Sequence, residues 1–315
     1  MTRKSFLEVM AGTAAVAAMP LSAAPAQKSK IKLGVTLYSY TGDYQVTMSL
    51  EDCIADAADL GAEGIEILSE THIPGYPNPD SKWIDQWHNL MAKYQTKPTC
   101  YDCWIDSRLH KDRTLTVQES LDFLLMDMKL ANRLGFKIMR PKLGVVTPDL
   151  MPDPAWRETI ERALPMAEKL NVKIAPEIHS PTALQSKITD TYMELITKTK
   201  TKYFGFVIDF SVFQVRPRRD VPPRPRAAGE IPSELAEDPK HLIPLLPYTF
   251  HYHAKFFEMT DEFREYSIPY EKVLPVLVES GFDGYLSSEY EGIRELGRGA
   301  DQLRRQHLML RQLLA

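Results

Sequence analysis

The sequence predicts one (β/α)8 barrel, a TIM-barrel fold of the α/β class, forming a single domain over residues 30–315. Three observations carry that prediction. From Lys30 onward, short apolar runs rich in β-branched residues alternate with stretches of helical periodicity, and strands separated by helices pair in parallel through right-handed crossovers. Eight such units fit the length of one closed barrel, about 250 residues in typical cases. The first strand-to-helix turn has no G-x-G-x-x-G, the fingerprint an open dinucleotide-binding sheet would carry there.

The first strand is read over residues 31–40, and the helix over 49–60 is closed by Gly61. Residues 64–69 (GIEILS) give the second strand, and Ser81 opens a helix that runs to Gln95. The third strand covers 97–105. Thr116 and Glu119 stand at capping-box spacing and start a helix that Gly135 ends. The fourth strand follows at 135–140, with its helix at 153–170. The fifth, 172–179, precedes a helix at 188–199; the sixth is 204–210 (FGFVIDF) and the seventh 248–256. A helix at 268–280, the eighth strand at 283–290 and a helix at 301–314 complete the chain. Residues 213–240 break the rhythm as an insertion that contains RPRRDVPPRPR at 216–226. Proline fixes φ and removes donors, so this is a stiff excursion and not a helix. It leaves from a strand's C-terminal end, the catalytic face of a barrel, and suits either a solvated loop or a lid or subunit contact.

Residues 1–26 are read as a cleavable export signal. TRKSFL precedes an Ala/Val/Met-rich stretch, and Ala24-Pro25-Ala26 supplies an A-x-A cleavage site. The opening is similar to a twin-arginine signal, with Lys4 in place of the second arginine; an ordinary secretory signal and an uncleaved anchor are the other readings. The expectation is a periplasmic protein, cytoplasmic if the signal is not used, with no membrane span in the mature chain. Cys100 and Cys103 form a C-x-x-C, but three residues of extended chain span about 10 Å, beyond the roughly 7 Å limit for a disulfide. Buried, reduced cysteines are expected instead. A formal net charge of −4 offers no basic face for nucleic acid.

Reactive side chains in a barrel come from the C-terminal ends of several strands. The run IAPEIHS ends the fifth strand with Glu177 and His179 two residues apart on one face. A carboxylate beside an imidazole suits a metal ligand next to a general base. The sixth strand ends at Asp209, the seventh at His251 and His253, the eighth at Glu289. Alone, each has an ordinary reading: Asp209 as a cap, Glu289 as half of a surface ion pair. Together, one such group at each of four consecutive strand ends, in runs too apolar to hold unpaired charge cheaply, predicts a metal site. Three carboxylates and an imidazole make a hard site suited to Mn2+ or Mg2+, where structural zinc would favour cysteine. Tyr38, Tyr40, Glu66, Trp104, Arg140, Lys142 and Lys255 are expected to line the pocket above that site, although ordinary barrel rims carry the same residue types.

The runs PEIH, VIDF, HYHAK and SSEYEG resemble the motifs of the xylose isomerase-like barrels, the sugar phosphate isomerase/epimerase superfamily, across the whole of residues 30–315. The resemblance implies Glu177, Asp209, His253 and Glu289 as metal ligands, with Mn2+, Mg2+, Co2+ or Zn2+ as the ion. It prefers His253 to His251 because the family ligand stands two before the lysine. Ketose 3-epimerases of this group usually carry a histidine where this chain has Val212, and an arginine where it has Phe256, Phe257 and Glu258. YSY at the first strand end, P-x-x-P after GIEILSE, EIH followed by Ser180-Pro181, and DFS resemble instead the catalytic subunits of C-glycoside deglycosidases. Those proteins open a sugar–aglycone bond after oxidation at C3. The likeness implies His179 as base, with a small accessory subunit or a homo-oligomer among the partners.

The implied chemistry is coherent. The C2 proton of a 3-keto sugar is acidic, a divalent ion stabilises the enediolate as a Lewis acid, and His179 accepts the proton. Glu177 and Glu289 stand beside it as the other catalytic groups, and loss of the C1 substituent completes a β-elimination. An isomerase or epimerase uses the same enediolate and returns the proton elsewhere. A non-catalytic sugar-binding subunit is a third reading. Endonuclease IV shares the barrel ancestry but needs more strand-end histidines and a basic face.

Overall fold

The computed structural model describes residues 29–143, 150–222 and 232–315. Residues 1–26, read as an export signal, lie outside them, as do residues 223–231 of the insertion. Nine parallel strands form one sheet among the described residues: β1 (Lys32–Thr36), β2 (Gly64–Leu68), β3 (Lys97–Ile105), β4 (Ile138–Leu143), β5 (Lys173–Ile174), β6 (Glu177–Ile178), β7 (Phe206–Asp209), β8 (Thr249–Phe256) and β9 (Tyr285–Tyr290). Their order is β5-β4-β3-β2-β1-β9-β8-β7-β6. The two outer members, β5 and β6, follow one another in the chain and are halves of the fifth barrel strand. Met139 pairs with Ile174, Ile174 also bridges Phe204, and Glu177 pairs with Val207, so the sheet curls back on itself. Pro176 has no N–H to give the ladder, which cuts the strand expected to be continuous over 172–179.

Among the described residues eight α-helices lie between or after the strands: α1 (Leu50–Asp59), α2 (Ser69–His72), α3 (Ser81–Lys93), α4 (Val117–Arg133), α5 (Trp156–Leu170), α6 (Lys187–Thr199), α7 (Tyr270–Glu279) and α8 (Arg298–Leu314). Reciprocal capping boxes, Ser49 with Asp52 and Thr116 with Glu119, start α1 and α4. Each cap is worth about 1 kcal/mol. The cap of α3 is Asp80, whose carboxylate accepts from Trp83 N–H at 2.7 Å, and not Ser81. None of the helices among the described residues is long and apolar enough to cross a membrane.

Two strands stop earlier than their apolar runs suggest. The Thr36 hydroxyl accepts from Tyr38 N–H and the Asp209 carboxylate from Ser211 N–H, turning the chain into 3-10 helices at Leu37–Tyr40 and Phe210–Phe213. Tyr38 and Tyr40 therefore sit on a turn above the first strand. In the opposite sense, β4 runs on to Leu143 and carries Lys142 at its end.

Most of the apolar core lies between sheet and helices, where Trp87 stacks on Phe136 and Trp156 packs edge-on to Tyr192. A separate small cluster, Cys100, Ala175 and Val207, comes from β3, the fifth strand and β7. Two residues further along each, on the same strand face, stand Asp102, Glu177 and Asp209. One face therefore changes from apolar to ionisable within a single layer. All three cysteines are free and buried, and the extended geometry of β3 keeps Cys100 and Cys103 from bridging. The start of the insertion is docked: Arg218 lies over Phe257 at 4.4 Å, and Arg219 lies over Tyr266 at 4.0 Å while pairing with Glu258.

Candidate metal centre and sugar cleft

The strand ends bring Glu177, Asp209, His253 and Glu289 together, with one ligating atom from each lying within 4.8 Å of the others. Parallel register does this: Asp209 is the Cα partner of His253, and Lys255, two residues on, is the partner of Glu289. His253 Nδ1 stands 2.6 Å from Glu177 Oε1, 3.1 Å from Glu289 Oε2 and 3.9 Å from Asp209 Oδ2. Asp209 divides its oxygens. Oδ1 accepts from Ser211 N–H at 2.7 Å, the capping role, whereas Oδ2 is buried and lacks a hydrogen-bond partner. Glu289 Oε2 is likewise buried without one.

Three carboxylates this close and this buried repel one another. Burial pushes Asp209 well above the usual carboxylate range, and Glu289 and Glu177 push the same way against Lys255. Burial opposes ionisation of Glu177 too, but Arg140 and His253 outweigh it and hold the group well below its ordinary value. Burial disfavours a charged His253, yet Glu66, Glu289 and Glu177 together raise its pKa far above the ordinary imidazole range. Orphaned carboxylate oxygens around one imidazole nitrogen fit a hard divalent cation.

Glu66 was expected in the sugar pocket; it is 0% exposed and cannot touch a substrate there. It lies behind the histidines instead. Glu66 Oε2 is 2.9 Å from His251 Nε2, and Oε1 is 2.8 Å from His253 Nε2, the latter a close charge contact rather than an aligned hydrogen bond. Glu66, His251 and His253 could by proximity hold an ion of their own. Both Nε2 atoms face one carboxylate that only accepts, however, which assigns Nε2–H to each ring and leaves His253 Nδ1 for the outer quartet.

Arg140 was expected to bind sugar, but its nitrogens are committed. Nε and one terminal nitrogen pair with both oxygens of Asp102 (2.8 and 2.6 Å), and the other reaches Glu177 Oε2 at 2.9 Å. It anchors a strand end. Lys255, 7% exposed, is similarly occupied, 3.1 Å from Glu289, 3.6 Å from Asp209 and 2.9 Å from Glu291. Tyr38 donates to Glu291 at 3.3 Å and accepts from Arg294, which places it on the rim beside Lys255. Asp102 and Glu291 were missed. Both obey the two-residue spacing, Asp102 with Trp104 and Glu291 with Glu289; Asp102 lies inside the C-x-x-C, and Glu291 precedes Gly292 just past the strand end.

His179 is exposed on a cleft enclosing about 580 Å3, part of it open to solvent, that Arg140, Lys142, Glu177 and Tyr192 also line. Its Nδ1 is 2.6 Å from the Ser180 carbonyl oxygen, which can only accept, so Nδ1 carries the proton and Nε2 offers its lone pair. Trp104 and Lys142 stand exposed at the ends of β3 and β4.

The chain belongs to the xylose isomerase-like TIM barrel family, whose model matches residues 54–313. It is 26% identical over 340 residues to the C-glycoside deglycosidase alpha subunit of Arthrobacter globiformis, covering 91% of this chain and 93% of that protein. With the 3'-dehydrocarminate deglycosidase alpha subunit of a Microbacterium species it shares 27% identity over 322 residues, covering 83% and 88% respectively. Among solved structures, L-ribulose 3-epimerase matches with a TM-score of 0.64 at 12% identity, covering 90% of this chain and 94% of that one, a likeness of fold.

Proposed function

We propose that this chain is a divalent-metal-dependent carbohydrate enzyme that opens 3-keto-glycosides by β-elimination. The observation that carries the reading is the convergence of Glu177, Asp209, His253 and Glu289 within 4.8 Å, with His179 lining the cleft that Glu177 also lines. Those four residues would hold the ion. When bound, it supplies a Lewis acid for the sugar's carbonyl and adjacent hydroxyl. The names of the relatives, both deglycosidase alpha subunits, favour elimination among the reactions such a site supports.

His179 accepts the C2 proton at Nε2, and its Nδ1–H bond to the Ser180 carbonyl fixes that tautomer. The electron pair of the C2–H bond becomes the C1=C2 double bond. The C1–aglycone bond breaks, and the aglycone leaves with its electron pair and takes a proton from solvent. Arg140 and Lys255 hold the carboxylates in place throughout. Ketose 3-epimerases of this family usually carry a histidine where this chain has Val212 and an arginine where it has Phe256, Phe257 and Glu258, and those departures favour elimination over epimerisation.

The test is to incubate Mn2+-loaded protein with a 3-keto C-glycoside and, separately, with free ketoses. Aglycone release is expected, lost on chelation and reduced about 10²- to 10⁴-fold by His179→Ala. Exchange of a ketose α-proton with no aglycone release overturns elimination in favour of isomerisation. Undiminished sugar binding with neither reaction leaves a binding subunit. The alpha-subunit names also support a second, small subunit, to be sought by co-purification from the native host. Export rests on residues 1–26, and N-terminal sequencing of periplasmic protein tests it: a chain beginning beyond Ala26 supports cleavage.

A further inference from the structure

We infer that Trp104 and Lys142 form an aglycone subsite for a planar aromatic group, beside the sugar site. The inference takes its substrate from the elimination reading above and its location from separate observations.

Trp104 and Lys142 are Cα partners across β3 and β4, two residues beyond the partners Asp102 and Arg140. Residues two apart share a face, and that face is the one from which Arg140 reaches Glu177. Trp104 and Lys142 are therefore the next layer out, at the mouth. The pairing of Met139 with Ile174 sets Lys142 level with Glu177 along the strands. Trp104 then lies two strand spacings around the rim from Glu177, about 10 Å. A sugar held at the quartet thus has its C1 substituent within reach of the indole.

The space is there. Trp104, Lys142, Asp102, Arg140, Ser69 and Glu70 border a cleft enclosing about 540 Å3, part of it open to solvent, and Arg140 and Lys142 also border the cleft that holds His179. The two adjoin at Arg140 and Lys142. Trp104 is 43% exposed, whereas Trp87 and Trp156 are buried and Trp83 is half-buried against the core. An indole left in water beside a reaction cleft is a stacking surface for another ring. Lys142 Nζ stands 5.3 Å from the Trp104 ring centroid, so a ring stacked there also meets a cation. The leaving aglycone carries the electron pair of the broken C1 bond, and a conjugated ring spreads that charge toward the ammonium.

Two 3-keto-glycosides with the same sugar, one bearing a flavone and the other a methyl group at C1, test this. The wild-type preference for the flavone substrate, as a ratio of kcat/KM values, should fall about tenfold in Trp104→Ala, mostly through KM, and return in Trp104→Phe. Lys142→Met should lower the same ratio through kcat. Free 7-hydroxyflavone, titrated by calorimetry, should bind the wild type and bind Trp104→Ala about tenfold more weakly at an unchanged melting temperature. An unchanged ratio, or flavone binding that is absent from the wild type or equal in both proteins, overturns the subsite. If no substrate releases its aglycone, elimination fails while the flavone titration still decides the subsite.

Discussion

Replacing Glu66 by Gln tests whether a residue that no substrate can reach governs metal affinity. Glu66 serves two imidazole nitrogens at once, with one oxygen at 2.9 Å from His251 Nε2 and the other at 2.8 Å from His253 Nε2. Glutamine keeps one acceptor and presents an amide N–H in place of the other. One ring must then change tautomer or leave two donors facing each other. If His253 changes, its proton moves to Nδ1, the atom 2.6 Å from Glu177 and 3.1 Å from Glu289 that the quartet needs unprotonated. If His251 changes, a buried Nδ1 that lacks any hydrogen-bond partner acquires a proton to satisfy. Neither route is free, and the negative charge that makes His253 a stronger ligand is lost in both. Loss of such a support lowers metal affinity about 10- to 100-fold, or about 1.4–2.7 kcal/mol. Mn2+ titration calorimetry reads it directly, with a thermal melt to show that the barrel is folded. Glu66→Gln with wild-type Mn2+ affinity and an intact fold refutes the argument. Complete loss of the site in Glu66→Gln, with Asp209→Asn still binding, would move the ion to the inner Glu66–His251–His253 trio.

His72 and His307 are pushed down to about 4, chiefly by burial, so the unfolded chain takes up their protons first as pH falls. Their stabilisation is complete above about pH 6.5 and is lost as pH falls toward 4, on the order of 3 kcal/mol each; denaturant midpoints that stay level between pH 7 and 4.5 contradict this. Gly205→Ala would place a Cβ 2.2 Å from the Tyr248 carbonyl oxygen, a backbone atom just before β8. A loss of about 1–3 kcal/mol is expected, and an unchanged melting temperature contradicts it. Arg140→Met leaves Asp102 and Glu177 uncompensated and should cost about 3–5 kcal/mol. Adding Asp102→Leu should recover part of that loss, and strict additivity in the double-mutant cycle would show that the pair is not coupled.

The barrel was legible because periodicity and turn chemistry agree along the chain: the helix start at Ser49, the capping box at Thr116 and the span of β3 fell where the residues placed them. Strand ends were read less well. An apolar run does not distinguish the last strand residues from a buried 3-10 turn, and Thr36 and Asp209 end β1 and β7 with side-chain acceptors that hydropathy does not register. The metal quartet could be proposed from sequence because each member ends a different strand, and closure of a barrel brings such ends together whatever lies between. The partner of each ligand could not. That Glu66 turns to His253, or that Asp102 and not a sugar claims Arg140, depends on which β2 and β3 residues share a height with those of β4 and β8, and the stagger of a closed sheet is not written in any one strand.

Those partners also bear on why the site should need a cation. The layer around the quartet holds five carboxylates, Glu66, Asp102, Glu177, Asp209 and Glu289, against two permanent cations, Arg140 and Lys255. Arg140 answers Asp102 and one oxygen of Glu177, and Lys255 sits between Asp209 and Glu289 on the rim side. Glu177 Oε1, Asp209 Oδ2 and Glu289 Oε2 also face His253 Nδ1, and Lys255, which meets the same oxygens of Asp209 and Glu289, supplies a single positive charge against the three carboxylates. A proton on His253 answers only part of the difference, and burial of a net negative cluster is costly. A divalent ion there would satisfy the two orphaned oxygens and release the imidazole nitrogen from its proton. Glu66 favours that exchange by keeping the ring's other nitrogen protonated. The support that the sequence hid would therefore favour a metal over a proton at the candidate site that the sequence exposed.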